Sequence, residues 1–117
     1  MDVEWLRRVC LALPQATETV QWGDNLVFKV AGKMFAVMSL EPSGIWLSFK
    51  TTPQRFDELT ERSGFLPAPY LARAKWVAVE RPGATSAQEL QEFLTASYHL
   101  VVETLPKKTR LSLVSMR

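Results

Sequence analysis

Between Leu26 and Leu40 the chain reads LVFKV, AG, KMFAVMSL, and this stretch limits the fold more than any other. Two runs rich in β-branched and aromatic residues are joined by Ala31-Gly32, a two-residue connection of the kind that closes a tight antiparallel hairpin. If the turn pairs Val30 with Lys33, alternation places Leu26, Phe28, Val30, Phe35 and Val37 on one face. The other face then carries Val27, Met34, Ala36, Met38 and Leu40, so both faces are apolar. Helices cover one face of a two-layer domain. The second face must therefore meet a partner subunit, a ligand or the tail, unless a bulge shifts the register.

Around this hairpin the remaining elements are marked by caps and breakers. Val3, Leu6, Val9, Cys10 and Leu13 recur at helical spacing behind Asp2, an N-cap residue, and Pro14 stops that helix. The stretch QATETVQWGDN reads as a polar link. IWLSFK, reached through the EPSG connection, gives a third strand. Thr52 as N-cap and Pro53 at the first helical position open a short helix with Phe56 and Leu59 inward and Gly64 as its stop. Pro67 and Pro69 hold FLPAPYLARA out of a regular helix, and KWVAVE follows as a strand ending at the Arg81-Pro82-Gly83 turn. Ser86 and Glu89 form a capping box for a last helix over 87–103, which Pro106 ends. The expected class is α+β, a two-layer α/β arrangement with an antiparallel sheet, helices on one face, and the order α-β-β-β-α-β-α.

A chain of 117 residues fits one domain, 1–117, with a basic C-terminal tail from about residue 106. Its 47% hydrophobic and 22% charged residues suit a globular protein outside the membrane, and the lack of a long apolar run or basic leader suggests a cytoplasmic, bacterial one. Cys10, the single cysteine, excludes an internal disulfide and sits in the apolar pattern of the first helix, as a buried small hydrophobe does. The net charge of +2 does not by itself point to a polyanion. The tail LPKKTRLSLVSMR, however, concentrates Lys107, Lys108, Arg110 and Arg117 without an acid.

Catalytic chemistry is hard to assemble from these residues. His99 is the one histidine, so no metal site is expected; no serine sits in a nucleophile elbow; and Gly32, Gly44 and Gly64 fall at turns or a helix end rather than in a phosphate-binding loop. No catalytic residue and no cofactor are expected. Binding has more support. Lys29 and Lys33 flank the hairpin tip, Lys50 and Arg55 bracket the end of the third strand, and Arg73 and Lys75 precede the fourth; such residues either lie along phosphates or decorate strand ends against aggregation. Trp22, Tyr70 and Trp76 are candidates to wall a cleft for a ligand or partner. Strand alternation separates Lys75 from Trp76: Trp76 should pack with Ala78 against a helix or the proline segment, with Lys75 facing out beside Arg73.

Several strings together resemble the MmcQ/YjbR family of small bacterial proteins: FKVAGKMFAVMSL, LSFKTTPQRFDEL, GFLPAPYLARAKWVAVE, SYHLVVETLPKK and LPQATETVQWGDNLVFKV. The resemblance runs from about Leu13 to Lys108. Its matching positions are Trp22 and Gly23, Lys29, Gly32-Lys33, Phe35, Lys50, Pro67, Lys75-Trp76, Ser97-Tyr98 and Leu105-Pro106-Lys107-Lys108. The resemblance implies a CyaY-like or secretion-chaperone-like two-layer fold and a predicted DNA-binding protein with a double-wing motif, with no enzymatic activity. Where many relatives place a histidine before the KW pair, this chain has Tyr70 and LARA, which departs from any histidine-centred role.

The expected function is non-enzymatic binding of double-stranded DNA, with phosphates contacted by Lys29, Lys33, Lys50, Arg73, Lys75, Lys107 and Lys108. The alternative is a protein-interaction or chaperone-like module that uses the apolar sheet face, as a homodimer or with a protein partner.

Overall fold

The computed structural model describes residues 1–41 and 44–115; the Pro42-Ser43 half of the EPSG connection and Arg117 of the tail lie outside the described residues. Helix α1 (Val3–Leu11) starts where Asp2 accepts a hydrogen bond from the Trp5 amide at 2.9 Å. Six strands follow around the other helices: β1 (Ala16–Gln21), β2 (Asn25–Val30), β3 (Lys33–Ser39), β4 (Leu47–Lys50), β5 (Phe65–Pro67) and β6 (Trp76–Val79). They form one antiparallel sheet in the order β1-β2-β3-β4-β6-β5. Helix α2 (Pro53–Leu59) lies between β4 and β5, with the Thr52 hydroxyl capping the Arg55 amide. Helix α3 (Ala87–Glu103) and helix α4 (Lys107–Ser115) complete the chain.

The α+β class and the antiparallel sheet with helices packed on it are as expected, and α3 has the expected bounds. Two strands and a helix exceed the expected order. The polar link contains β1, an edge strand whose Glu18 faces the helices and accepts from Arg7 Nε at 2.8 Å, while Thr17 and Thr19 face solvent. The basic tail is helical, and Leu113 anchors it in the main core at 3% exposure. Gly64 does not stop α2, which ends four residues earlier in a Thr60 cap. Its φ of +87° starts β5, and a side chain there would meet Ala84 Cβ at 2.5 Å.

The hairpin turns at Ala31-Gly32 with Val30 opposite Lys33, both turn residues at positive φ as a type I′ turn requires. Its faces differ from simple alternation because a bulge intervenes: Phe28 pairs with Ala36 and Lys29 with Met34, which leaves Phe35 as the extra residue. Phe35, Ala36 and Met38 thereby all reach the helix side, and Val37 moves with Met34 to the outer side. The polar groups near the bulge are satisfied from α3. Buried Ser97 donates to the Phe35 carbonyl at 2.6 Å and accepts from the Lys50 amide at 2.9 Å.

On the helix side Leu6, Cys10, Phe28, Phe35, Phe49, Leu90, Phe93 and Tyr98 form the main core. Tyr98 meets Phe35 edge to face with centroids 5.6 Å apart and donates its hydroxyl to the Pro14 carbonyl. Cys10 is fully buried there; burial, and then the charge of Glu18, push its thiol up to about 12. Across the sheet a smaller core joins Ala68, Trp76 and Ala78 with Met34, Val37, Ile45, Leu66 and Leu71. Its cover is the segment of residues 68–75 rather than a helix, apart from a single 3-10 turn over Ala72–Ala74. The cover is tied down through its own backbone: the Ala68 amide bonds to the Trp76 carbonyl and the Trp76 amide to the Leu71 carbonyl.

Candidate functional site

The strand registers gather the basic residues at one end of the sheet. Lys33 follows the β2–β3 turn, Lys29 lies one pair further in, and Lys50 ends β4 opposite Trp76, the first residue of β6. Lys33 and Lys50 line a shallow hollow of about 370 Å³ with Met34, Leu71, Ala74, Trp76, Val101 and Thr104. Lys50 Nζ donates to the Ala74 carbonyl at 3.2 Å, which fixes the ammonium between the strand end and the 3-10 turn that carries exposed Arg73. Because Thr104 caps α3 at this hollow, Lys107 and Lys108 start α4 only a few residues beyond it.

Lys75 departs from its expected place. It adopts a left-handed backbone (φ 64°), its carbonyl accepts from the Thr51 hydroxyl and amide, and its ammonium sits 4.9 Å from the Phe56 ring centroid. Lys75 is therefore drawn toward α2 on the helix side rather than facing out beside Arg73. Trp76 packs as expected, 3% exposed, against Ala68 and Ala78 and the proline segment.

Carboxylates are distributed differently. Asp24, Glu41 and Glu80 all lie toward the opposite end of the sheet, after β1, β3 and β6 respectively. The ion pairs among the described residues use Arg7, Arg62 and Arg81. Among those residues none of Lys29, Lys33, Lys50, Arg73, Lys75, Lys107 and Lys108 pairs with a carboxylate. On the helix side of Lys50, a second hollow of about 250 Å³ brings in Arg55, His99 and Glu103; Arg55 lies over the Phe93 ring at 5.3 Å. Arg55 was the basic residue at this end that strand-end reasoning noted without assigning a role.

A larger cleft, of about 500 Å³, opens on the outer face between the tip of the β1–β2 hairpin and the cover segment. Trp22 and Tyr70 both line it, over a floor of Met34, Val37, Ile45 and Leu71, with Asn25, Ser39 and Ser48 as polar members. Two of the three aromatics expected to share a cleft thus do so, whereas Trp76 is buried beneath the cover and lines the basic hollow instead. Of the floor residues Met34 lies on the face that alternation gives it, whereas Val37 faces outward only because of the bulge at Phe35. The cleft and the basic hollow share Met34 and Leu71, so they adjoin, and no aspartate or glutamate lines either.

The YjbR family model matches residues 11–100. The chain belongs to the YjbR family. Among solved structures similar to this YjbR protein is that of DR2400 from Deinococcus radiodurans, which carries a domain named DUF419. It is 34% identical, with a TM-score of 0.86 over 96% of this chain and 87% of that one. A protein from Pseudomonas syringae shares the fold at 20% identity, with a TM-score of 0.69 over 86% of this chain and 98% of that one. No curated protein matches the chain.

Proposed function

We propose that this YjbR-family protein is a non-enzymatic DNA-binding protein that contacts phosphates with the basic end of its sheet. The observation that supports this most is the grouping of Lys29, Lys33, Lys50 and Arg73 at one sheet end, next to the start of α4, with no carboxylate partner among the described residues. Glu103 lines the adjoining hollow on the helix side of Lys50, yet cations that outnumber acids and stand without ion pairs in one region are the electrostatic footprint of a polyanion site. Met34, Leu71 and Trp76 give the hollow between Lys33 and Lys50 an apolar floor, against which a sugar-phosphate backbone rests. Lys75, held over Phe56, acts mainly in positioning the start of β6.

The test is a titration of labelled DNA at several salt concentrations. Affinity should fall steeply with salt, and Lys33→Ala or the Lys107→Ala/Lys108→Ala pair should each reduce the log–log slope by about 1 per contact removed. Absence of binding at micromolar protein and low salt, or binding indifferent to salt, would remove the proposal.

A further inference from the structure

Trp22 and Tyr70 are held where neither packing nor backbone preference favours them. Both have left-handed backbones, φ 52° and 64°, a region in which a bulky side chain is an outlier and glycine is at ease. Their side chains gain little burial in return: Trp22 is 64% exposed and Tyr70 104%. The turn into β2 asks for a left-handed residue before Gly23, yet not for a tryptophan, and bulky outliers of this kind cluster at binding sites. Here both rings border the same cleft, from opposite sides of the sheet's outer surface.

The cleft's chemistry narrows its ligand. About 500 Å³ is the size of a small-molecule pocket, its floor is apolar, and its lining is uncharged. An organic cation would meet two rings but no carboxylate. The cleft runs through Met34 and Leu71 into the hollow of Lys33 and Lys50, so a ligand spanning both presents a flat apolar part to the rings and negative charge to the lysines. Polar edge groups of the flat part find Asn25 and Ser48 in the lining.

We propose that this cleft seats one unpaired base of single-stranded DNA against Trp22 and Tyr70, with the adjoining phosphates along the Lys33–Lys50 hollow. The proposal rests on the phosphate-binding reading above and adds the state of the strand. In a duplex both faces of a base are stacked on its neighbours, so aromatic walls have nothing to bind. An unpaired base offers its π-face, and such stacking is tolerant of sequence.

The experiment compares a labelled oligothymidylate with a labelled duplex of equal length by fluorescence anisotropy at one salt concentration. The oligothymidylate should bind more tightly. Tyr70→Ala and Trp22→Ala should each weaken it about 5- to 150-fold, the range for loss of one base stack, and leave duplex binding unchanged. Trp22→Phe, which keeps a π-face, should retain most of the affinity, and unchanged urea midpoints for Tyr70→Ala establish that folding is intact. Equal loss for both probes, or no loss for either, overturns the stacked base while phosphate binding stands. Thymidine monophosphate that competes as well as the oligomer also overturns it, by assigning the cleft to a free nucleotide. If the unaltered protein binds neither probe, the phosphate reading itself fails.

Discussion

On the helix side of the sheet, strand rings meet rings of α3 in two groups, Phe28 and Phe35 with Tyr98, and Phe49 with Phe93. On the outer side Trp76 is roofed by a short non-helical cover, and two further rings, Trp22 and Tyr70, stand in solvent at its border. The same sheet thus has one face closed by helices, the longest of them the 17-residue α3, and one closed by a loop that leaves a cleft. A helix brings a continuous apolar stripe and satisfies its own backbone, so it excludes water along its whole length. A loop must satisfy its backbone locally, as the bonds among Ala68, Leu71 and Trp76 do, and it covers only what its few side chains reach. The closed face supplies stability and the half-closed one supplies access.

The largest effects should come from truncating one ring on each side. Phe49→Ala and Trp76→Ala should each cost about 3 to 5 kcal/mol in urea unfolding, since both residues are essentially buried. Their local consequences should differ. Trp76→Ala should also speed hydrogen exchange at the amides of the 68–76 segment, which loses the ring it packs on, beyond what its global cost explains. A Trp76→Ala cost below about 1 kcal/mol would mean that the outer face is no second core and the comparison fails.

Next in size is Ser97→Ala. The hydroxyl serves both the Phe35 carbonyl at the bulge and the Lys50 amide, and its loss leaves two buried backbone groups unpaired. At about 1 to 3 kcal/mol for each such group, a total of about 2 to 6 kcal/mol is expected as a lower urea midpoint at constant slope. Because the bulge sends Val37 outward to the cleft, Ser97 links the two faces. A cost under about 0.5 kcal/mol would show that the ladder alone holds the register.

Much of this was legible in the sequence, for reasons that separate local from distant causes. Asp2, Thr52 and Ser86 announce helix starts because a cap acts within three residues, and each does accept the amide expected of it. The Ala31-Gly32 turn is equally local. The bulge at Phe35 is not, because the hydroxyl that stabilises it lies on α3, remote in sequence. Strand β1 was hidden by polarity on both faces: Thr17 and Thr19 face water, and Glu18 on the inner face is neutralised by Arg7 of another element. Sequence groups Trp22, Tyr70 and Trp76 as candidates for one cleft, but only folding decides that the cover segment passes over Trp76 and leaves the other two beside the cleft.

A smaller prediction has the opposite sign. Tyr70→Gly should raise stability by about 1 kcal/mol, because glycine removes the left-handed backbone cost at φ 64° and an exposed ring contributes no packing. The helix face offers no such gain, since its rings are buried. If Tyr70→Gly instead lowers the melting temperature, the ring supports the cover, and its exposure is no sign of a site.

Acid should touch the helix face and spare the basic end. Arg62 donates from both terminal nitrogens to Glu89 at 2.9 Å, joining the segment after α2 to the first turn of α3. These bonds hold the Glu89 carboxyl below its ordinary 4.5; partial burial opposes them and the Thr85 hydroxyl reinforces them. A depressed folded pKa makes the contribution complete above the ordinary value and lost as pH falls through the folded one. Both side chains are partly exposed, so Arg62→Ala should cost only a few tenths to about 1 kcal/mol near neutral pH. That gap should close in acid. For Lys33→Ala, with no carboxylate partner among the described residues, the difference from the unaltered protein should stay flat over the same range. Urea unfolding across the acid range checks both. An Arg62→Ala gap that persists in acid would trace the stabilisation to the guanidinium lying 4.6 Å over Phe65 and not to its ion pair.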